Sequence, residues 1–260
     1  MRKRTRWLPV LGLAAFLVGC AVSSPREGTI TQISVLDALL AGDYDGTCTC
    51  AQLLEYGDTG LGTFQALDGE MIVLDGEIFQ ARADGTVSRP DPDLPVPFAA
   101  VCRFPETPSL SSPAGLDYEQ FQAWLDGRLG NLNVPRVIRL RGRFPAMKVR
   151  SVPRQEKPYP PLAEVAAHQP VFEFKDVAGT VVGFRLPPYV KGINVPGYHL
   201  HFISDDRSRG GHILDFRTGE NVLEIAPEGQ FTIVLPVDAG TFAAVDFSRD
   251  REAEMHKVER

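Results

Sequence analysis

The chain has 260 residues, 43% hydrophobic and 23% charged, a balance that excludes a disordered or collagen-like polymer and supplies core enough for one large domain or two modest ones. Lysine plus arginine is 27 and aspartate plus glutamate 33, so the formal charge is −6 and a general nucleic-acid-binding role lacks electrostatic support. The 24 glycines and 21 prolines require many turns.

Arg2, Lys3, Arg4 and Arg6 precede an apolar run over 7–18, the layout of a secretory signal too short to cross a membrane. The run closes on Leu17-Val18-Gly19-Cys20, which is similar to the lipobox of bacterial lipoproteins. Residues 1–20 are therefore read as a lipoprotein-type signal, with Cys20 becoming the lipidated N-terminus of an exported protein anchored to the cell envelope, periplasm or outer membrane in a Gram-negative host. Loss of residues 1–19 removes four cations and no anions, taking the charge from −6 to −10, so the lipid and not a basic patch would hold the chain. Cys48, Cys50 and Cys102 remain. In an oxidising compartment one of the first two is expected to bridge Cys102, and which one is left open. A Cys-Thr-Cys pair without two further ligands nearby is not a structural zinc site, so these cysteines are read as structural.

Residues 21–30 read as a tether. A helix is expected over 34–41, with Ser34 as cap and Leu36, Leu39 and Leu40 on one face. From 61 to 87, apolar runs broken by Asp68-Gly69, Asp75-Gly76 and Asp84-Gly85 indicate consecutive antiparallel strands. The proline-rich stretch 90–113 reads as a long irregular segment. An amphipathic helix follows over 117–129, with Phe121, Leu125 and Leu129 aligned, and then a half-buried strand over 136–143. Pro153, Pro158, Pro160, Pro161 and Pro170 mark a crossover or domain boundary. Strands are expected over 171–174, 180–186, 198–203, 212–216, 221–225 and 231–235, with a polar helix over 248–260. The fold class is α+β: two strand-rich subdomains, 31–160 and 161–260, with mixed or antiparallel sheets and the site on a hairpin of the second.

Three of the five histidines, His199, His201 and His212, fall in the string PGYHLHFISDDRSRGGHILDF. Residues two apart on a strand share a face, and the Asp-, Ser- and Gly-rich segment 204–211 can return His212 on a neighbouring strand, roughly 5 Å across. Three neutral imidazoles with an open position suit a catalytic zinc, Zn2+. A cupin also begins its metal site with His-x-His and adds an acidic residue, here Asp205 or Asp206. Its third histidine comes from a distant second motif, however, and His212 returns too early. His168 and His256 lie outside the cluster.

The histidine string, the block GDTGLGTFQALDGEMIVLDGEIFQARADGT over 57–86 and FPAMKVRSVP over 144–153 together resemble the bacterial alpha-acetolactate decarboxylase family over nearly the whole mature chain. The resemblance implies zinc on His199, His201 and His212, with Glu70, Arg150 and a glutamate of the tail as catalytic residues. Glu259 is favoured because MHKVE resembles the family's terminal pattern, and Glu254 comes second. The implied reaction turns 2-acetolactate into acetoin and carbon dioxide through a metal-bound enediolate, with no organic cofactor. Arg150 would orient the substrate, and Glu70 with the tail glutamate would deliver a proton. Competing expectations are a non-catalytic zinc-binding envelope lipoprotein and a cupin-like metalloenzyme acting on another small polar substrate. A homodimer is left open.

Overall fold

The computed structural model describes residues 27–237 and 240–259. The expected leader and Cys20 lie outside the described residues. Among those described, no helix is long and apolar enough to cross a membrane.

Two large sheets form the molecule, which is α+β as expected. The first has seven strands in the order Gln230–Val234, Thr29–Ile33, Phe98–Cys102, Thr59–Thr63, Glu70–Leu74, Glu77–Ala81 and Val87–Ser88. Its last four strands are the meander that the Asp-Gly turns announced, all antiparallel. Gly69 takes φ +90°, and a Cβ there would stand 2.5 Å from the Ala81 carbonyl oxygen, so only glycine permits the turn that delivers Glu70 to the strand start. Gln230–Val234 joins this sheet parallel to Thr29–Ile33, which makes it mixed.

The second sheet has six antiparallel strands, ordered Val171–Leu186, Gly197–Ser204, Gly210–Arg217, Arg136–Arg150, Asn221–Pro227 and Ser109–Ser112. Val171–Leu186 also pairs with Arg136–Arg150 from Arg136↔Arg185 to Arg150↔Val171, so the first four strands close into a ring. The ring is filled by Phe144, Phe202 and Phe216, whose centroids lie 5.7 Å (Phe144 to Phe202) and 5.8 Å (Phe144 to Phe216) apart in edge-on contacts, with Phe121 5.4 Å from Phe216. Phe121 comes from the helix Tyr118–Asp126, which Asp117 and Gln120 cap reciprocally.

Several expectations need correction. The segment 90–113 is not irregular throughout, since Phe98–Cys102 is a fully buried central strand. Burial on both faces removes the alternation by which a strand is recognised. The short helix Leu36–Leu40 is capped by Val35 with no side-chain bond, while Ser34 sits buried at φ +60°. The strands expected over 171–174 and 180–186 are one, and that expected over 136–143 runs on to Arg150 past Pro145, which is left out of the pairing between Phe144 and Ala146. Each sheet also borrows across residue 160: Arg136–Arg150 belongs with the later strands and Gln230–Val234 with the earlier ones.

No disulfide joins the cysteines: Cys48, Cys50 and Cys102 are all buried and free. Cys48 and Cys50 pack with Ala99 and Val101 on one face of the seven-stranded sheet, whereas Cys102 packs with Ala100 and Phe184 on the other. A bridge would have to pass through the sheet. The face bearing Cys102 meets the six-stranded sheet, and Ile72, Phe79, Val182 and Ile203 continue that contact toward the histidines.

Candidate metal and active site

His201 and His212 stand directly opposite each other on neighbouring strands, with His199 two residues along from His201. The three ring centroids are 5.0 to 5.2 Å apart, and one ligand atom from each lies within 4.8 Å of the others. This is the one group of three or more metal-ligating side chains found among the described residues. Its three members are 1 to 7% exposed.

A bulge brings Arg150 to the same place. Along Arg136–Arg150 the register against Gly210–Arg217 slips by one residue between Lys148↔Asp215 and Val149↔Ile213, so Arg150 faces His212. A one-residue slip exchanges the faces of a strand; without it Arg150 would stand opposite Ile213. Gly211 permits the close approach, because a Cβ there would meet the Arg150 carbonyl oxygen at 2.5 Å.

Glu70 reaches in from the other sheet. Its Oε2 lies 3.6 Å from His201 Nε2, and its Oε1 3.9 Å from Arg150 Nη1. Glu259 follows the helix Glu252–Val258, whose Met255 and Val258 pack on Leu36, Leu39 and Leu162. That packing holds Glu259 Oε2 3.7 Å from both His199 Nε2 and His212 Nε2, and Oε1 3.7 Å from Arg150 Nη2. Glu254, the second choice from sequence, instead pairs with Arg249 and Arg251. Asp205 and Asp206 lie in the exposed turn, where Asp206 accepts from Ser204 and Ser208. His168 lies just past the helix Leu162–Ala166, in contact with the Glu164 carbonyl, and His256 lies 3.9 Å from Glu252. Leu36, Leu39, Leu67, Phe98, Leu162 and Val258 form the apolar wall of the pocket.

Burial sets the charge states. It drives His199 down to about 3 and holds His201 and His212 well below the ordinary histidine value, with Arg150 adding to the effect at all three. Neutral imidazoles are the form that ligates a metal. Burial pushes Glu70 up to about 7 against the opposing pull of Arg150, and raises Glu259 in the same way. His201 Nδ1 lies 2.8 Å from the Met71 carbonyl oxygen, which can only accept, so the proton sits on Nδ1 and the Nε2 lone pair is free. That Nε2 and the Glu259 Oε2 are buried without hydrogen-bond partners. A divalent ion bound by three ring nitrogens would satisfy the orphaned nitrogen, and this N/O donor set suits zinc and similar borderline ions.

Two contacts have no signal in the sequence. The Met71 carbonyl belongs to the other sheet, and Gln169, whose Oε1 accepts from Arg150 Nη1 at 2.7 Å, lies in a loop.

Fold and site thus define an α+β protein with a buried three-histidine group, able to hold a metal ion between two carboxylates and a guanidinium. The sequence pattern of the alpha-acetolactate decarboxylase family matches residues 30–249. The alpha-acetolactate decarboxylase of Methylococcus capsulatus is 44% identical over 234 residues, covering 90% of each chain, and that of Methanosarcina mazei is 40% identical over 241 residues, covering 92% of this chain and 83% of the relative. The crystal structure of alpha-acetolactate decarboxylase from Bacillus subtilis strain 168 superimposes with a TM-score of 0.85 at 35% identity, over 89% of this chain and 98% of that one. The chain belongs to the alpha-acetolactate decarboxylase family.

Proposed function

We propose that the chain decarboxylates 2-acetolactate to acetoin and carbon dioxide, with a zinc ion held by His199, His201 and His212. The observation that carries this reading is the convergence, in one buried pocket, of Glu70 and Glu259 within 4 Å of the three neutral histidines and of Arg150 within 4 Å of both carboxylates. A zinc store would have no use for those three groups. Bound zinc would supply positive charge to accept the electron pair left on carbon as the C–C bond to the carboxylate breaks, spread over an enediolate.

The protein's own groups do the rest. Arg150 offers forked donors to the substrate oxygens, orienting the carboxylate without the tight hold that would retain carbon dioxide. Glu70, with its pKa near neutrality, can carry the proton that the carbon must receive, and Glu259 faces the same pocket as a second carrier. The apolar wall excludes water from the developing charge. Incubating the purified chain with 2-acetolactate, with and without a chelator, and measuring acetoin and carbon dioxide tests the reading. Equal product from active chain and from chain stripped of metal refutes the role of zinc, and no product from metal-loaded chain refutes the reaction.

The leader supports export and attachment through a lipid on Cys20. Labelling with a radioactive fatty acid should mark the wild-type protein and not Cys20→Ser, and an unlabelled, soluble wild type would refute the anchor.

A further inference from the structure

Arg150 is 3% exposed and stands between two carboxylates, yet its separations from Glu70 and Glu259, 3.9 and 3.7 Å, are those of charged neighbours and not of hydrogen bonds. Among the described residues its guanidinium makes one hydrogen bond, from Nη1 to Gln169 Oε1 at 2.7 Å, and its Nε has no partner. Gln169 belongs to neither sheet. It lies beyond the short helix Leu162–Ala166, in a loop fastened beside Arg150 by the Ser151 amide, which donates to the Pro170 carbonyl at 3.2 Å. A long arginine side chain has many rotamers to lose, and fixing one nitrogen of the planar fork decides which edge faces the cavity.

We propose that Gln169 is a positioning residue for the reaction: it holds Arg150 by Nη1 and so turns the remaining donors of the guanidinium toward the substrate oxygens. The inference rests on Arg150 acting as the orienting group of the decarboxylation. Only the acceptor oxygen of the amide is used, so an isosteric side chain that accepts can replace it and one that does not accept cannot.

The test measures kcat and KM for 2-acetolactate with the full, metal-loaded chain carrying Gln169→Met, Gln169→Glu or His168→Ala, and Gln169→Met combined with Arg150→Lys. Gln169→Met should lower kcat by about 10- to 100-fold with little change in KM, bound metal or melting temperature, the range typical of residues that orient a functional group. Gln169→Glu, which keeps the acceptor, should stay within a few-fold of wild type, and His168→Ala, one residue away, should match it. Once Arg150 is lysine, Gln169→Met should cost nothing further. Equal losses in the Met and Glu variants, or losses that multiply in the double variant, overturn the inference alone. A wild-type chain inert toward 2-acetolactate overturns the decarboxylase reading and the inference with it.

Discussion

Glu228 follows the strand Asn221–Pro227 and is 1% exposed, with both carboxyl oxygens lacking a hydrogen-bond partner. Burial pushes its pKa up to about 7 from the ordinary 4.5. The folded protein therefore holds this proton more tightly than the unfolded chain does. The group's contribution to stability is fully present below about pH 4.5 and is lost as pH rises through about 7. A gap of about 2.5 units corresponds to about 3 kcal/mol, and relaxation and water entry around the buried charge bring this to about 2 kcal/mol. Glu228→Gln keeps the shape and removes the ionisation. Thermal unfolding followed by circular dichroism should give nearly equal midpoints for wild type and variant at pH 5. By pH 8.5 the variant should melt about 4 to 8 °C higher. A difference that does not change with pH, or a wild type that is the more stable at pH 8.5, would refute the argument that an unpaired buried carboxylate is being forced to ionise.

Replacing His199, His201 or His212 by alanine should remove bound metal and turnover together, measured by elemental analysis and acetoin release, whereas His168→Ala and His256→Ala should retain both. Glu70→Gln should keep the metal and lose about 10²- to 10⁴-fold in kcat, the usual weight of a positioned proton carrier. Full activity in that variant would remove Glu70 from the chemistry. Glu259→Gln should impair kcat while Glu254→Gln stays near wild type, because Glu254 is occupied by Arg249 and Arg251. The reverse order would mean that the terminal helix docks differently.

The histidine site was legible because strand alternation is strict: a His-x-His pair and a return through a short polar turn leave few arrangements. Asp75-Gly76 and its companions were legible for a similar reason, since Asp-Gly places positive φ where a hairpin demands it. Phe98–Cys102 was hidden by its proline-rich flanks and by burial on both faces, and Cys102 was assigned to a bridge because sequence does not say which face of a strand a thiol occupies. Glu70, Arg150 and Glu259 look like ordinary surface charges on spacing alone, and it was the family resemblance that singled them out. The bulge that turns Arg150 toward His212 depends on pairing between strands more than 60 residues apart, which no local pattern encodes. Gln169 shows the same limit, being a loop residue whose role is set by its direct contact with Arg150 on another element.

The parallel pairing of Thr29–Ile33 with Gln230–Val234 bears on how the protein is born. Thr29 meets Gln230 across 201 positions of chain, so the strand that emerges early from the ribosome stays without this neighbour until synthesis is almost finished. The meander 59–88 can pair as it emerges, but its sheet acquires this edge only after translation of the closed ring. Contacts between such distant segments slow folding, and the late step is where nascent copies are most exposed to pairing with one another.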